Sequence, residues 1–275
     1  MEKENKIMKL GFIGTGNMAG AIIKGFVNKN CVNSSDIYFI RQNKEKQAQQ
    51  ASELGINGCN DYESLIENSD ILFLGVKPVV FPTLLPQIAK SVKKKNPLVV
   101  SMAAGLTTDS IKEMLGYDAK IIRIMPNVNA AIAMSTTAVC KNEFASDEDL
   151  ATIKNLFSSI GLTTEVPENQ FAIFTAIAGC SPAYVYMFID GLARGAQKMG
   201  MNKQKALEIA ASAVIGSASM YAQSNEHPQE LVDKVCSPGG TTIEGVTTLE
   251  EYKFTAGVVK AVENSILKDR ELSKK

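Results

Sequence analysis

Six residues near the N-terminus constrain this chain more than any others. Gly14, Thr15, Gly16, Asn17, Met18 and Ala19 read G-x-G-x-x-A. The apolar run at residues 9–13 precedes them, and residues 18–28 read as a helix. A strand that turns at glycines onto a helix aims backbone N–H groups and the positive helix end at one point, where an anion can sit. The first glycine makes the tight turn, and the second lets the backbone approach a pyrophosphate. The third small residue lets the helix pack closely on the strand. In this context the motif predicts a dinucleotide-binding unit of the Rossmann type. A glycine-rich turn that holds no ligand is the plainer alternative.

The rest of the first half fits such a unit. Residues 36–40, 71–76, 98–102 and 121–125 are apolar runs, separated by segments that read as helices. Strands apolar on both faces predict an α/β fold with a doubly wound parallel sheet covered on both sides. The second half changes to helical patterns rich in Ala, Met and Leu, over residues 181–199, 203–223, 225–234 and 255 onward. The chain therefore divides into residues 1–167, a Rossmann domain, and residues 168–275, an all-α domain. Several of the late helices are apolar around much of their circumference, which demands burial. About a hundred residues bury such helices poorly alone, so an intertwined helical dimer is expected.

Charge and cysteine usage exclude other classes. There are 29 basic and 29 acidic residues, giving no bias toward nucleic acid or an anionic membrane. The five cysteines include no C-x-x-C pair, so reduced thiols are expected rather than a disulfide framework or a metal site. No apolar run follows the polar residues 1–6, and no span of roughly 18 unbroken apolar residues is read, so a cytoplasmic protein without a membrane segment is expected. His227, the sole histidine, precedes a proline in a polar stretch and reads as a turn residue rather than a proton-transfer group.

The end of the second strand bears on the cofactor. An NAD site usually carries an acidic residue there for the ribose 2′-hydroxyl. Here the strand runs out into Arg41, Gln42, Asn43 and Lys44. Arg41 and Lys44 could instead hold a 2′-phosphate by charge-assisted hydrogen bonds. NADP is favoured, with NAD the alternative. Val76 and Lys77, and Ala103 and Ala104, follow later strands on the same sheet edge. The former pair is expected against ribose or nicotinamide, and the small residues leave room for the ring.

Ser237-Pro238-Gly239-Gly240-Thr241-Thr242 is the most unusual stretch of the second half. Paired glycines, hydroxyls and a helix start can present several donors to one anion such as a carboxylate. A helix-capping turn is an equal alternative. The small residues from Thr175 to Pro182 lead into a long helix and either permit helix contact or leave space for a ring.

Together these motifs resemble pyrroline-5-carboxylate reductase. The resemblance rests on residues 11–19, Val76-Lys77-Pro78, Arg123-Ile124-Met125-Pro126-Asn127, residues 178–184 and Ser237 to Thr242, in the family's order. It implies hydride transfer from NADPH or NADH to 1-pyrroline-5-carboxylate, the last step of proline biosynthesis. It implies a Rossmann domain plus a helical dimerisation domain, a homodimer and in some members a decamer of five dimers. In that family the substrate lies at the dimer interface. By resemblance, Gly240, Thr241 and Thr242 beside Ser237 meet the carboxylate, Thr175 meets the substrate nitrogen, Glu168 lines the proline site and Asn60 lies beside the adenosine ribose.

This chemistry suits a chain without a catalytic histidine, because a protonated cyclic imine is already electrophilic and positioning carries much of the work. Two other readings compete. A reductase of β-hydroxy acids would need a helical-half lysine as proton donor, for which Lys198 and Lys203 are the candidates. An NADP-binding redox sensor without turnover would have no need of the Ser237–Thr242 loop.

Overall fold

The computed structural model describes residues 8–272. The elements are β1 (Leu10–Ile13), α1 (Asn17–Asn28), β2 (Ile37–Ile40), α2 (Lys44–Leu54), β3 (Asn57–Gly58), α3 (Tyr62–Glu67) and β4 (Ile71–Leu74). There follow α4 (Phe81–Lys95), β5 (Leu98–Ser101), α5 (Thr108–Leu115), β6 (Ile121–Met125), β7 (Ser135–Lys141), α6 (Asp147–Ser158) and β8 (Gly161–Glu165). The helical part comprises α7 (Phe171–Phe174), α8 (Ser181–Lys198), α9 (Lys203–Gln223), α10 (Pro228–Val235), α11 (Thr241–Glu251) and α12 (Phe254–Leu272).

The eight strands form one sheet in the order β3-β2-β1-β4-β5-β6-β7-β8. β1, β4, β5 and β6 are buried at every position, as strands covered on both faces must be. The chain leaves β1 toward β2 on one side and returns to β4 on the other, which makes β1 the switch point where such sheets open a ligand crevice. Registry sharpens this: Ile13 lies opposite both Ile40 and Leu74, so three strand ends are level. Gly14, Arg41 and Gly75 therefore leave the sheet side by side.

Two apolar layers hold the sheet. On one face Phe12 stacks on Phe73 at 4.5 Å, and Phe26 meets Phe157 edge-on at 5.4 Å. On the other, Leu72, Leu74, Phe81, Leu84 and Ile88 close together. Each fully buried large side chain contributes about 1.5–3 kcal/mol of transfer free energy.

The Rossmann-type sheet and the helical second half are as expected. Three strands were not foreseen: β3, β7 and β8, of which β7 runs antiparallel to β6. Their sequences explain this. β3 is two residues long, and β7 and β8 (STTAVCK and GLTTE) mix hydroxyls with apolar residues and give no continuous apolar run. The β7–β8 registry depends on Gly161, at φ +144°, where a Cβ would lie 2.0 Å from the Ser135 carbonyl oxygen.

By compactness the chain forms two units, one reaching Gly179 and including the segment from Ile266, the other spanning Cys180–Ser265. Residues 168–179 group with the sheet in this division. The physical reason is the bonding of Glu168, described below. In the second unit, α10 and α11 bury no residue fully, and α8 and α9 bury only Pro182, Ala193, Ala206 and Ala210. Met187 (75% exposed), Ile215, Met220 and Tyr252 (82%) stand open on this unit. The run Glu168–Lys198 is long and apolar enough, by length and composition alone, to cross a membrane. Residues 171–189 carry no charge, but Thr, Ser, Pro and Tyr interrupt them and hide the run from a search for unbroken apolar residues.

Candidate active site

The crevice opens where the level strand ends predict it. It encloses about 720 Å³ and is lined by Gly14, Thr15, Gly16, Arg41, Asn60, Val76 and Lys77, among others. The glycines divide the work. Gly14 sits at φ +84°, and a Cβ there would lie 2.7 Å from Val76 Cγ1. Gly75 lies across from it, where a Cβ would meet the Gly14 carbonyl oxygen at 2.4 Å and Ala19 Cβ at 2.8 Å. The motif's third small residue, Ala19, thus packs against Gly75. Gly16 differs, since a Cβ there would meet nothing within 4 Å. It also caps α1 without any side-chain hydrogen bond, so the first helical N–H groups face the opening. The space at this helix end is open enough for an anion, and a side chain would fill it.

The remaining cofactor candidates fall into two sets. Asn17 lines a shallower depression beside the crevice, which Thr15, Gly16 and Arg41 share. Met18, Ala19 and Ala103 do not line the crevice; they pack into the apolar layers beneath it. Arg41 is held in place. Its backbone N–H donates to Gln47 Oε1 (3.0 Å), and its Nη1 donates to Gln50 Oε1 (3.1 Å), which also accepts from Thr15 Oγ1 (2.7 Å). One amide oxygen therefore couples the glycine turn to the cation at the end of β2. Lys44 Nζ donates to the Cys59 and Asn60 carbonyls. Sequence reasoning missed Tyr62 and Asp61 on the rim and the two glutamines behind it. Asp61 caps α3, and the Ser64 backbone N–H holds its carboxyl below the usual range. The D-x-x-S spacing of a helix cap was a usable signal for Asp61.

Glu168 is fully engaged. Its Oε1 accepts from the Thr108 N–H (2.8 Å) and Arg123 Nη1 (3.2 Å), and its Oε2 accepts from Thr108 Oγ1 (3.1 Å). Arg123 is 4% exposed and lies 4.5 Å above the Phe171 ring. Burial pushes the carboxyl of Asp269 up, and the charge of Arg123 acts against that rise. Beyond Phe174 the helix widens into a π-helical turn, Thr175–Gly179. Such turns are rare, and they occur often at functional sites. Thr175 opens this turn, and its hydroxyl donates to the Phe171 carbonyl at 2.8 Å.

In the second unit the Ser237–Thr242 stretch is a turn closed by a bond from the Gly240 N–H to the Ser237 carbonyl (3.0 Å), with Gly239 at φ +66°. Gly240 caps the 11-residue α11 with no side-chain hydrogen bond. The stretch is thus a helix cap, and it leaves a bare helix N-terminus with hydroxyl residues at Thr241 and Thr242. His227 is a helix cap, its Nδ1 accepting from the Gln229 N–H. Lys203, one of the two candidate proton donors of a β-hydroxy-acid reductase, pairs with Asp190 at 3.0 Å.

A curated relative from Escherichia coli (strain K12), pyrroline-5-carboxylate reductase, is 40% identical over 97% of this chain and 98% of its own length. The chain belongs to the pyrroline-5-carboxylate reductase family. The family's dimerisation model matches residues 168–272, and a model described as NADP oxidoreductase, coenzyme F420-dependent, matches residues 9–105. Among solved structures, the reductase of Streptococcus pyogenes is 38% identical with a TM-score of 0.87, covering 96% of this chain and 98% of that one. The Plasmodium falciparum enzyme, solved with NADP bound, is 30% identical with a TM-score of 0.88, covering 97% and 98%. The dimerisation model thus begins at residue 168, inside the compact unit that runs to Gly179.

Proposed function

We propose that this chain reduces 1-pyrroline-5-carboxylate to L-proline, the last step of proline biosynthesis, with NADPH as preferred donor and NADH possible. The observation that carries this is whole-length similarity to the reductase of Escherichia coli, together with the open Gly16 cradle and the hydroxyl at Thr175. Residues 1–167 are taken as the cofactor-binding half and residues 168–275 as the dimerisation and substrate-binding half. Gly14 to Asn17 hold the pyrophosphate, Arg41 the 2′-phosphate, Asn60 the adenosine ribose, and Val76 and Lys77 the nicotinamide side, while Met18, Ala19 and Ala103 support this site from the apolar layers beneath it. When bound, NADPH supplies a hydride to the C5 carbon of the imine.

The chain's own residues bind and orient. The Thr175 hydroxyl hydrogen is committed to the Phe171 carbonyl, so its oxygen lone pairs are left to accept. A protonated imine offers one N–H, and Thr175 therefore selects the electrophilic, protonated form. The backbone N–H groups at the start of α11, with the Thr241 and Thr242 hydroxyls and Ser237 beside them, hold the substrate carboxylate. Glu168, already bonded to Thr108 and Arg123, lines the proline site as a fixed wall. A homodimer, with five dimers in a decamer, covers the open apolar side chains of the helical unit. The enzyme works in the cytoplasm, with no nucleic-acid or membrane partner. NADPH consumption with 1-pyrroline-5-carboxylate tests the reading. Thr175→Ala lowers turnover, and Thr242→Ala mainly raises the substrate KM. Unchanged kinetics in both variants would remove this arrangement.

A further inference from the structure

We infer that Asn127 is a positioning residue for Thr175, acting through the π-helical turn. This rests on the reading of Thr175 given above and extends it to a residue that does not line the crevice. Asn127 lies at the end of β6 and is 4% exposed. Its Nδ2 donates to the Ala178 carbonyl at 3.1 Å, across 51 residues of sequence. In a regular helix that carbonyl would accept from the N–H four residues on. Residue 182 is proline and has no N–H to give. The Asn127 carboxamide supplies the donor that the sequence withholds, inside the turn that Thr175 opens.

The clamp is itself held. Asn127 Oδ1 accepts from the Asn129 N–H (3.2 Å) and the Thr136 N–H (3.4 Å), and the Asn127 N–H donates to Ser135 Oγ (3.3 Å). Ser135 Oγ is in turn 2.9 Å from Thr137 Oγ1. With its oxygen fixed by two backbone donors, the amide has one orientation, and its NH2 group points at Ala178. The sheet therefore sets where the π-helical turn stands, and with it the Thr175 hydroxyl.

Asn127→Asp isolates the donor. The aspartate keeps both acceptor bonds, and only the bond to Ala178 is lost while the carboxyl is ionised. Protonation returns a donor at the same place. The expected result is a kcat lowered about tenfold or more at neutral pH, since small misplacements at a reacting centre cost that much. The NADPH dissociation constant, read by fluorescence, stays within about twofold, because the glycine turn is untouched. The ratio of variant to wild-type kcat rises as pH falls through the new carboxyl's pKa. A purely structural role would give no such recovery. Asn127→Ala, which has no group to protonate, stays low at every pH. Three results overturn the inference: a variant kcat within twofold of wild type, a loss that tracks NADPH affinity, or a ratio flat with pH. If Asn127→Asp does not fold, the thermal midpoint and kcat of Asn127→Ser decide, and a kcat equal to wild type overturns the clamp. A wild-type chain inactive on 1-pyrroline-5-carboxylate overturns the function and the clamp together. An active wild type that Thr175→Ala impairs and Asn127→Asp does not overturns the clamp alone.

Discussion

Arg123 and Glu168, 45 residues apart, form an ion pair of 3.2 Å beneath which the Phe171 ring lies. The guanidinium is almost fully buried, and its Nε has no hydrogen-bond partner among the described residues. Removing the Glu168 carboxylate breaks the ion pair of a desolvated cation, on which the Asp269 carboxyl still acts. Glu168→Ala should therefore cost about 3 kcal/mol, at the low end for a broken buried pair because the Glu168 side chain is 28% exposed. The double variant Arg123→Met, Glu168→Leu should cost less than Glu168→Ala alone. Denaturant midpoints at one fixed protein concentration check both, since assembly adds to apparent stability. A loss under about 1 kcal/mol for Glu168→Ala contradicts the account.

The glycines of the turn should respond differently to the same substitution. Gly16→Ala meets open space, with φ at −70°, so the folded chain should keep its stability. Its NADPH dissociation constant should nonetheless rise about tenfold or more, because the new methyl occupies the approach to the helix end. Gly75→Ala would press a Cβ to 2.4 Å from the Gly14 carbonyl oxygen, which is backbone and cannot swing aside. That variant should lose about 1–3 kcal/mol of stability as well as affinity. Fluorescence titration with NADPH and thermal unfolding separate the two outcomes. Equal effects on both readouts would count against the division of roles.

Arg41 should decide between the two nicotinamide cofactors. Arg41→Ala removes a charge-assisted donor worth about 1.5–3 kcal/mol, or roughly ten- to a hundredfold in KM for NADPH. The KM for NADH should barely change, since it has no 2′-phosphate to lose. Gln50→Leu, which frees Arg41 Nη1, should move the same ratio in the same direction by less. A parallel loss for both cofactors would place Arg41 elsewhere.

The buried thiol of Cys140 should be inert. Burial pushes its pKa up to about 12, and the Glu168 carboxylate adds to the rise. A raised pKa means that the reactive thiolate appears only as pH climbs toward that value, and that the neutral thiol prevails below it. At mildly alkaline pH, iodoacetamide should modify the half-buried Cys31 well before Cys140, with equal reactivity returning on unfolding. Peptide mass spectrometry reads this directly. Equal rates in the folded protein contradict it.

The cofactor end was legible because its signals are local. Gly14 to Ala19 and the apolar runs at β1, β4, β5 and β6 lie in short windows, and periodicity with turn chemistry is enough to place them. β7 and β8 were not legible. Their Thr-rich sequences do not alternate cleanly, and their pairing depends on Gly161 passing within reach of Ser135. The proposed substrate end shows in the sequence only as residue types at Ser237 to Thr242, and its support does not show at all. The bonds of Glu168 to Thr108 and of Asn127 to Ala178 join residues 60 and 51 apart, where no sequence spacing applies. Gln50 was hidden for a related reason: it reads as one polar face residue of a solvated helix, and only the fold brings its oxygen between Thr15 and Arg41.

The most direct test is a single assay on the purified full chain and its Thr175→Ala variant, following NADPH absorbance with 1-pyrroline-5-carboxylate and measuring proline. The wild type should oxidise one NADPH per proline formed, and the variant should lose kcat by about tenfold or more while binding NADPH unchanged. No NADPH loss with the imine, and no NADP reduction with proline at high pH, would contradict the account at its centre.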